Sequence, residues 1–494
     1  MRIRSGHGKL YEINTIVWLD ELSRKHDERI TLENLPEEEI DSLNQLGFDY
    51  IWLMGVWKRS AMGREIFIRG PEFQNFVRDF ENALPGWRLE DVIGSPYSIA
   101  AYEPEPLIGT WRGLQRVRKM LNDRDMGLVL DFVPNHTAPD HKWVKTHPDY
   151  YIQGDEEDYR QNPSDFTPIE LKGRTHYFAR GRDPYFPPWS DTVQLNHFNP
   201  AMKKALLSEL KKIARYADGV RCDMAMLVLK DIFHNTWGHL KAKNLYIPHE
   251  EEFWQMIHYS LPGLLLIAEA YWDTEWTLQQ LGFHYVYDKR LYDRLRHATA
   301  YDVLMHLKAD RGFQEKLLRF IENHDEDRSA VAFSQDRLKA AGVVFSTLPG
   351  LKLYHHGQFE GRKIRVPLQL RCVRDEPPDR ELQEFYMGLL SIIRQEIYYN
   401  GRWQLVMVEG AGSENVIAYQ WQNSREFVMV AVNFSSSDSS VYLIPQLQED
   451  LDRYVLSNIF YKDAEEMLQD RAGAVSLSMK GYGYCIFYGR VVNI

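Results

Sequence analysis

Cysteine is nearly absent from the 494-residue sequence, with Cys222, Cys372 and Cys485 as the full complement. Their wide spacing makes no metal-ligand pattern and their odd number makes no disulfide framework, so each is expected to behave as a small buried hydrophobe. Long apolar runs are missing too. The opening stretch, MRIRSGHGKLYEIN, is charged with no apolar core behind it, and no later segment approaches the length that spans a bilayer. A cytoplasmic protein with no membrane partner is the expectation. Basic residues are not in excess: 59 Lys and Arg against 70 Asp and Glu leave a net charge of -11. That balance disfavours nucleic acid and anionic membranes, which need basic patches, and suits an uncharged ligand. Internal repeats and low-complexity tracts are lacking, and nothing in the sequence reveals the oligomeric state.

What is present is length enough for a barrel-sized domain and a smaller one, with 44% hydrophobic residues and a high aromatic share of 13%. Short apolar runs alternate with amphipathic helical patterns. INTIVWL, YIWLMGVW, GLVLDFV, DGVRCDM, GLLLIAEAYW, FHYVYD, LLRFIEN and GVVFSTL read as strands. PAMKKALLSELKKIARY reads as a helix with Met202, Leu206, Leu210 and Ile213 on one face. Eight such strands predict a closed (β/α)8 barrel, although an open doubly wound sheet shares the alternation. The expected organisation is a barrel over 1–136 and 200–398, an aromatic-rich inserted subdomain over 137–199, and a C-terminal antiparallel β-sandwich over 399–494. A second long excursion, 58–96, contains the helix-like PEFQNFVRDFENALP. Both excursions leave the carboxyl ends of strands, where barrel enzymes place their chemistry.

Those strand ends are unusually polar. GLVLDFVPNH presents Asp131, Asn135 and His136; ADGVRCDMA presents Arg221 and Asp223; LLLIAEAYW presents Glu269; RFIENHDED presents Asn323, His324 and Asp325. The period of two along a strand turns Arg221 and Asp223 to one side and Cys222 to the other. A metal site and a carboxylate pair acting on a glycosidic bond are both uses for such a cluster. The absence of a dense ligand spacing argues against a catalytic transition metal. A guanidinium two residues before Asp223 favours an ionised nucleophile, and the apolar neighbours of Glu269 favour a protonated acid.

At these residues the sequence resembles the alpha-amylase family of glycoside hydrolases and transglycosidases. DFVPNH, GVRCDMA, IAEAYW and FIENHDE occur in the order of that family's four signature segments, and GSPYSIAAY and LPGLKLYHHGQFEG are similar to its second- and eighth-strand regions. The resemblance implies that Asp223 is the nucleophile of a retaining α-glycosidase, Glu269 its acid and base, and Asp325 a group that binds the distorting sugar. It implies that Arg221 orients Asp223, that His136 and His324 bond sugar hydroxyls, that Tyr97 stacks under the reacting ring, and that Asp131 lies in or behind the site. The implied partner is an α-glucan or oligosaccharide. No cofactor is implied for the chemistry, while Asn135 matches a calcium ligand of the family and so allows a structural calcium. Met226 and Leu227 stand where many starch-cleaving members carry Lys-His, Ala101 where many carry Asp, and Phe359 interrupts a frequent GQE. Alternatives are a transglycosidase on short α-glucans, a catalytically silent carbohydrate-binding relative, and a metal-dependent hydrolase using His136, Asp223 and His324.

Overall fold

A computed structural model describes residues 7–248, 251–464, 468–469 and 473–491; the charged residues 1–6 lie outside that set. Eight parallel strands close into a barrel: β1 (His7–Asn14), β2 (Tyr50–Met54), β3 (Gly127–Phe132), β4 (Gly219–Cys222), β5 (Leu265–Ala268), β6 (Tyr285–Tyr287), β7 (Leu317–Arg319) and β8 (Gly350–His355), each paired to its sequence neighbours and β8 to β1. Side chains of these strands are buried throughout, as expected when one face fills the barrel and the other meets helices. The amphipathic helix read from the sequence is Pro200–Ile213, with Met202, Leu206, Leu210 and Ile213 inaccessible.

Two strand assignments are corrected. INTIVWL is not β1: the strand ends at Asn14 and a helix, Thr15–His26, starts at once. Strand and helix abut without a polar break, so their apolar runs merge in the sequence. GVVFSTL is not β8 but the end of the helix Gln335–Thr347, in which every residue from Leu338 to Thr347 is buried. A helix buried on all sides has no amphipathic period, and its β-branched residues imitate a strand. The true eighth strand, GLKLYH, lies in the segment that the family resemblance indicated.

The excursion after β2 folds into two helices, Ala61–Arg69 and Phe73–Ala83. The excursion after β3 holds a small three-stranded sheet (Gln153–Gly154, Phe166–Leu171, Arg174–Ala179) and a ladder in which His136 and Thr137 pair with Gln194 and Val193. Beyond the barrel, the sandwich takes the form of one continuous antiparallel sheet of eight strands. Its long final strand, Val475–Val491, pairs with Ser439–Ile444 through its first residues and with Glu426–Asn433 through its last, and turns between them near Tyr482, whose φ is 57°. In Val416–Gln422 the pleat sends Val416 and Ala418 into the sheet's own core and Ile417, Tyr419 and Trp421 into the barrel's. The Trp421 indole donates to Thr347 O at 2.7 Å, which ties the two regions together. Cys222 and Cys485 are buried as expected; Cys372 is only half-buried. No described helix is long and apolar enough to cross a membrane.

Candidate active site

The barrel's carboxyl end opens into a cavity of about 1110 Å³ lined by Tyr97, His136, Asp223, Glu269, His324 and Asp325, six residues drawn from five separate segments. The excursion after β2 walls it with Ile66, Phe67 and Phe76, and the excursion after β3 contributes Trp189. These walls are knitted to each other. Ser60 Oγ donates to Asp140 Oδ1 at 2.6 Å, Ser98 Oγ donates to Asp191 O at 2.6 Å, and Arg59 Nη1 donates to Gly94 O and Leu368 O at 2.7 and 3.1 Å.

Beneath the floor lies Arg221, 1% exposed. Strand register sets it level with Asp131 on β3 and Ile267 on β5. Its Nη1 donates to Asp223 Oδ1 at 2.7 Å, its Nη2 lies 2.8 Å from Glu269 Oε2, and Asp325 Oδ2 is 4.0 Å away. The guanidinium is packed over the rings of Trp52, Tyr97 and Tyr287, with centroids 5.2, 5.4 and 5.6 Å off. A buried cation thus meets two carboxylates along its edge and aromatic faces around it, which makes its charge tolerable.

Glu269 accepts from Met224 N–H at 2.7 Å and from the Tyr271 hydroxyl at 2.9 Å. Burial pushes its carboxyl up to about 7; Arg221 opposes that shift, and Asp223 and Asp325 reinforce it. Because a hydroxyl can turn to accept, Oε1 beside Tyr271 is the atom able to carry the proton. Asp325 moves the other way. Burial raises it, but His324 and then Arg221 prevail and hold it down at about 2. Its side chain is 41% exposed and lines the cavity. The two carboxyls pushed furthest apart are therefore Glu269 and Asp325.

His324 forms a second centre. Its Nε2 lies 3.0 Å from Asp325 Oδ2 and 3.0 Å from the Tyr97 hydroxyl, and its ring stacks on Tyr97 at 5.6 Å. Its Nδ1 meets Glu12 Oε1. Burial disfavours the imidazolium, yet Asp325 and Glu12 outweigh burial and hold it well above the ordinary histidine range. His136 has no such carboxylate in contact: burial lowers it, and its ring lies 5.1 Å from that of Trp189.

Asp131 and Asn135 are not on the cavity surface. The Asp131 carboxylate accepts from Trp52 Nε1 at 3.1 Å and Gly55 N at 2.7 Å, and burial raises it to about 6 against the pull of Arg221. It secures the β2 end from behind. The Asn135 side-chain oxygen accepts from Gln194 Nε2 at 3.0 Å; the same amide nitrogen donates to Asn135 O at 2.8 Å and Leu195 O at 3.1 Å. The Gln194 amide nitrogen thus stands among three oxygens, while its own Oε1 is buried without a hydrogen-bond partner. No group of three His, Cys, Asp or Glu placed to hold a metal occurs among the described residues. The residues at Asn135 do not fit a calcium ion, whose affinity rises with the number of charged ligands. Met226 and Leu227 are buried in a turn after β4; Met224, with φ 42°, faces the cavity instead.

The sequence reading missed Glu12, Tyr271, Trp189 and the aromatic cradle of Trp52 and Tyr287. Glu12 has one visible signal, an acidic residue inside the apolar run LYEIN, which falls before the strand that INTIVWL suggests. The cradle had none, since large aromatics in barrel strands are ordinary core.

Comparison with known proteins agrees with this geometry. A family model for the alpha-amylase catalytic domain matches residues 37–364. The chain is 24% identical over 450 residues to alpha-amylase MalA of Haloarcula japonica, covering 88% of this chain and 56% of that protein, so it spans little more than half the length of that relative. It is 22% identical over 407 residues to alpha-amylase 3 of Dictyoglomus thermophilum, covering 70% and 76%. A crystal structure of the maltogenic alpha-amylase AmyB from Thermotoga neapolitana superposes with a TM-score of 0.68 over the full length of both chains at 20% identity, which speaks to the fold. With the family model spanning most of the chain and the four signature segments converging on one cavity, the chain belongs to the alpha-amylase family of glycoside hydrolases and transglycosidases.

Proposed function

We propose that the protein is a retaining α-glycosidase acting on α-glucosidic bonds of short oligosaccharides or α-glucans. The observation that carries the reading is the shared grip of Arg221 on Asp223 and Glu269, at 2.7 and 2.8 Å. Carboxylates bonded to neighbouring nitrogens of one guanidinium suit the close pair of a retaining site, about 5–5.5 Å, rather than the about 6.5–9.5 Å that leaves room for an inverting water. Asp223 attacks the anomeric carbon. Glu269, kept protonated by burial, gives its proton to the departing glycosidic oxygen and takes one back from the incoming acceptor. Asp325, ionised beside His324, binds hydroxyls of the ring as it flattens toward the oxocarbenium ion, and Tyr97 and His136 hold the same sugar. Carbohydrate is the partner, without cofactor in the chemistry.

Preference for short substrates is supported by Ile66, Phe67 and Phe76, which line the cavity from the excursion after β2, and by the Arg59 hydrogen bonds to Gly94 O and Leu368 O that fasten that excursion. Transfer to a sugar acceptor is the second reading. It is favoured by the apolar Met224 beside Glu269, where an acceptor sugar can displace water. A reducing compartment, the cytoplasm, is supported by three unpaired cysteines among the described residues.

The test is a time course of products from maltoheptaose, separated by size, with Asp223→Asn as blank and the anomer of the first product read by NMR. Shorter sugars released as α-anomers are expected; longer sugars would turn the reading to transfer. A β-anomer as first product would overturn the retaining mechanism.

A further inference from the structure

Among the buried acidic residues that have no part in the chemistry just described, Glu12 abuts the site itself. Glu12 lies on β1 and is wholly inaccessible, with register neighbours Trp52 on β2 and His355 on β8. A carboxylate buried in a barrel costs several kcal/mol unless it is paired and hydrogen-bonded. Most barrel interiors fill such a level with branched apolar side chains. Here Oε1 meets His324 Nδ1, and Oε2 has no hydrogen-bond partner. The groups facing this carboxylate are few. They are His324 after β7, whose far nitrogen faces Asp325, Tyr287 on β6, and His355 on β8, the last engaged with the Glu322–Arg328 ion pair. Among the described residues, His324 is the side chain that hydrogen-bonds to it.

The imidazole is therefore flanked. Glu12 faces its Nδ1, and Asp325 faces its Nε2 at 3.0 Å. A neutral imidazole carries one N–H and would leave one carboxylate opposite a lone pair, in the interior of the protein. With a proton on each nitrogen, both contacts are charge-assisted hydrogen bonds. We propose that Glu12 is a positioning residue that locks His324 as a doubly protonated imidazolium, so that Nε2–H stays turned toward the cavity and Asp325 stays ionised for the transition state. Glu12 touches no substrate. It acts through His324, in the way a buried aspartate fixes the tautomer of a histidine base. The inference rests on the glycosidase reading of the site.

The experiment compares wild type with Glu12→Gln on α-maltosyl fluoride, following fluoride release. Fluoride leaves with little protonation, so loss of the Glu269 proton near pH 7 does not set the alkaline limb of kcat/KM for this substrate, and the limb reports the imidazolium. The sign is fixed: removing the Glu12 charge makes the imidazolium give up its proton at lower pH. The alkaline limb is expected to fall by at least about one pH unit, which is about a tenfold loss at pH values above both limbs. A limb that coincides with wild type overturns the proposal. A double-mutant cycle with His324→Asn guards against misfolding, since the paired variant removes both buried charges together. Its kcat/KM is expected to match that of His324→Asn alone, and a further loss of more than about twofold overturns the proposal, because independent sites add. Wild type without any activity on the fluoride, or on maltoheptaose, would overturn the glycosidase reading itself, which a displaced or undisplaced limb leaves standing.

Discussion

Two cations organise the top of the barrel, and they hold their charge for different reasons. Arg221 is a guanidinium and stays charged at every pH the fold survives, so the Asp223 and Glu269 it grips are held in place unconditionally. His324 is an imidazole whose charge exists because Glu12 and Asp325 flank it. In the proposed mechanism the first centre positions the groups that make and break bonds and the second presents a donor to the sugar, with a state that depends on its neighbours. An enzyme built this way has a rigid reacting pair and a conditional binding pair.

The largest effect should come from the rigid centre. Asp223→Asn is expected to lower kcat on maltoheptaose by more than about 10⁴-fold with the fold intact, as removal of a nucleophile does elsewhere. A smaller loss would move the nucleophile to another carboxylate. Glu269→Gln should lower kcat/KM on maltoheptaose by about 10²–10⁴-fold but far less on α-maltosyl fluoride, which needs little help from an acid. In wild type, cleavage of maltoheptaose should decline as pH rises through about 7, because Glu269 must be protonated to act and its carboxyl is pushed to that value. A profile flat to pH 9 would contradict its role. Arg221→Met would leave two carboxylates facing each other without their cation, and urea unfolding should show a loss of about 3–5 kcal/mol. An equal loss from Glu12→Gln would erase the distinction between the two centres.

The smallest effect concerns a third donor. The Gln194 amide nitrogen, 2.8–3.1 Å from three oxygens at the root of the β3 excursion, performs with a dipole what a cation would do with charge. A chelator should leave the melting temperature unchanged to within about 1 °C, which for a chain of this length corresponds to about 1 kcal/mol. A drop of several degrees, restored by calcium, would show that the amide is not the group that joins those oxygens.

Much of this site was legible in the sequence because its residues sit at strand ends, where an apolar run stops and polar groups begin. Asp223, Glu269, Asp325, Arg221, His324 and His136 carry that signature, Tyr97 was legible only through the family resemblance, and all meet at the cavity or directly beneath it. Alternation of short strands with helices indicated an α/β fold, and the count of eight favoured the closed barrel. What failed was local. A helix buried on every side and a helix starting at the last residue of a strand erase the periodic contrast on which the reading depends, so β8 and β1 were displaced.

Sequence alone therefore decided the chemistry on offer: three carboxylates, an arginine and two histidines at the ends of parallel strands, because the pleat and the barrel leave such residues one place to converge. Tertiary structure decided how they are charged. That Glu269 is pushed up and Asp325 down, that Glu12 reaches across from β1 to His324, and that an amide stands among the oxygens at Asn135 depend on which groups lie within a few ångströms of one another after residues hundreds of positions apart are brought together. Electrostatic energy falls with distance in space, and distance in space is what the linear order of residues does not carry.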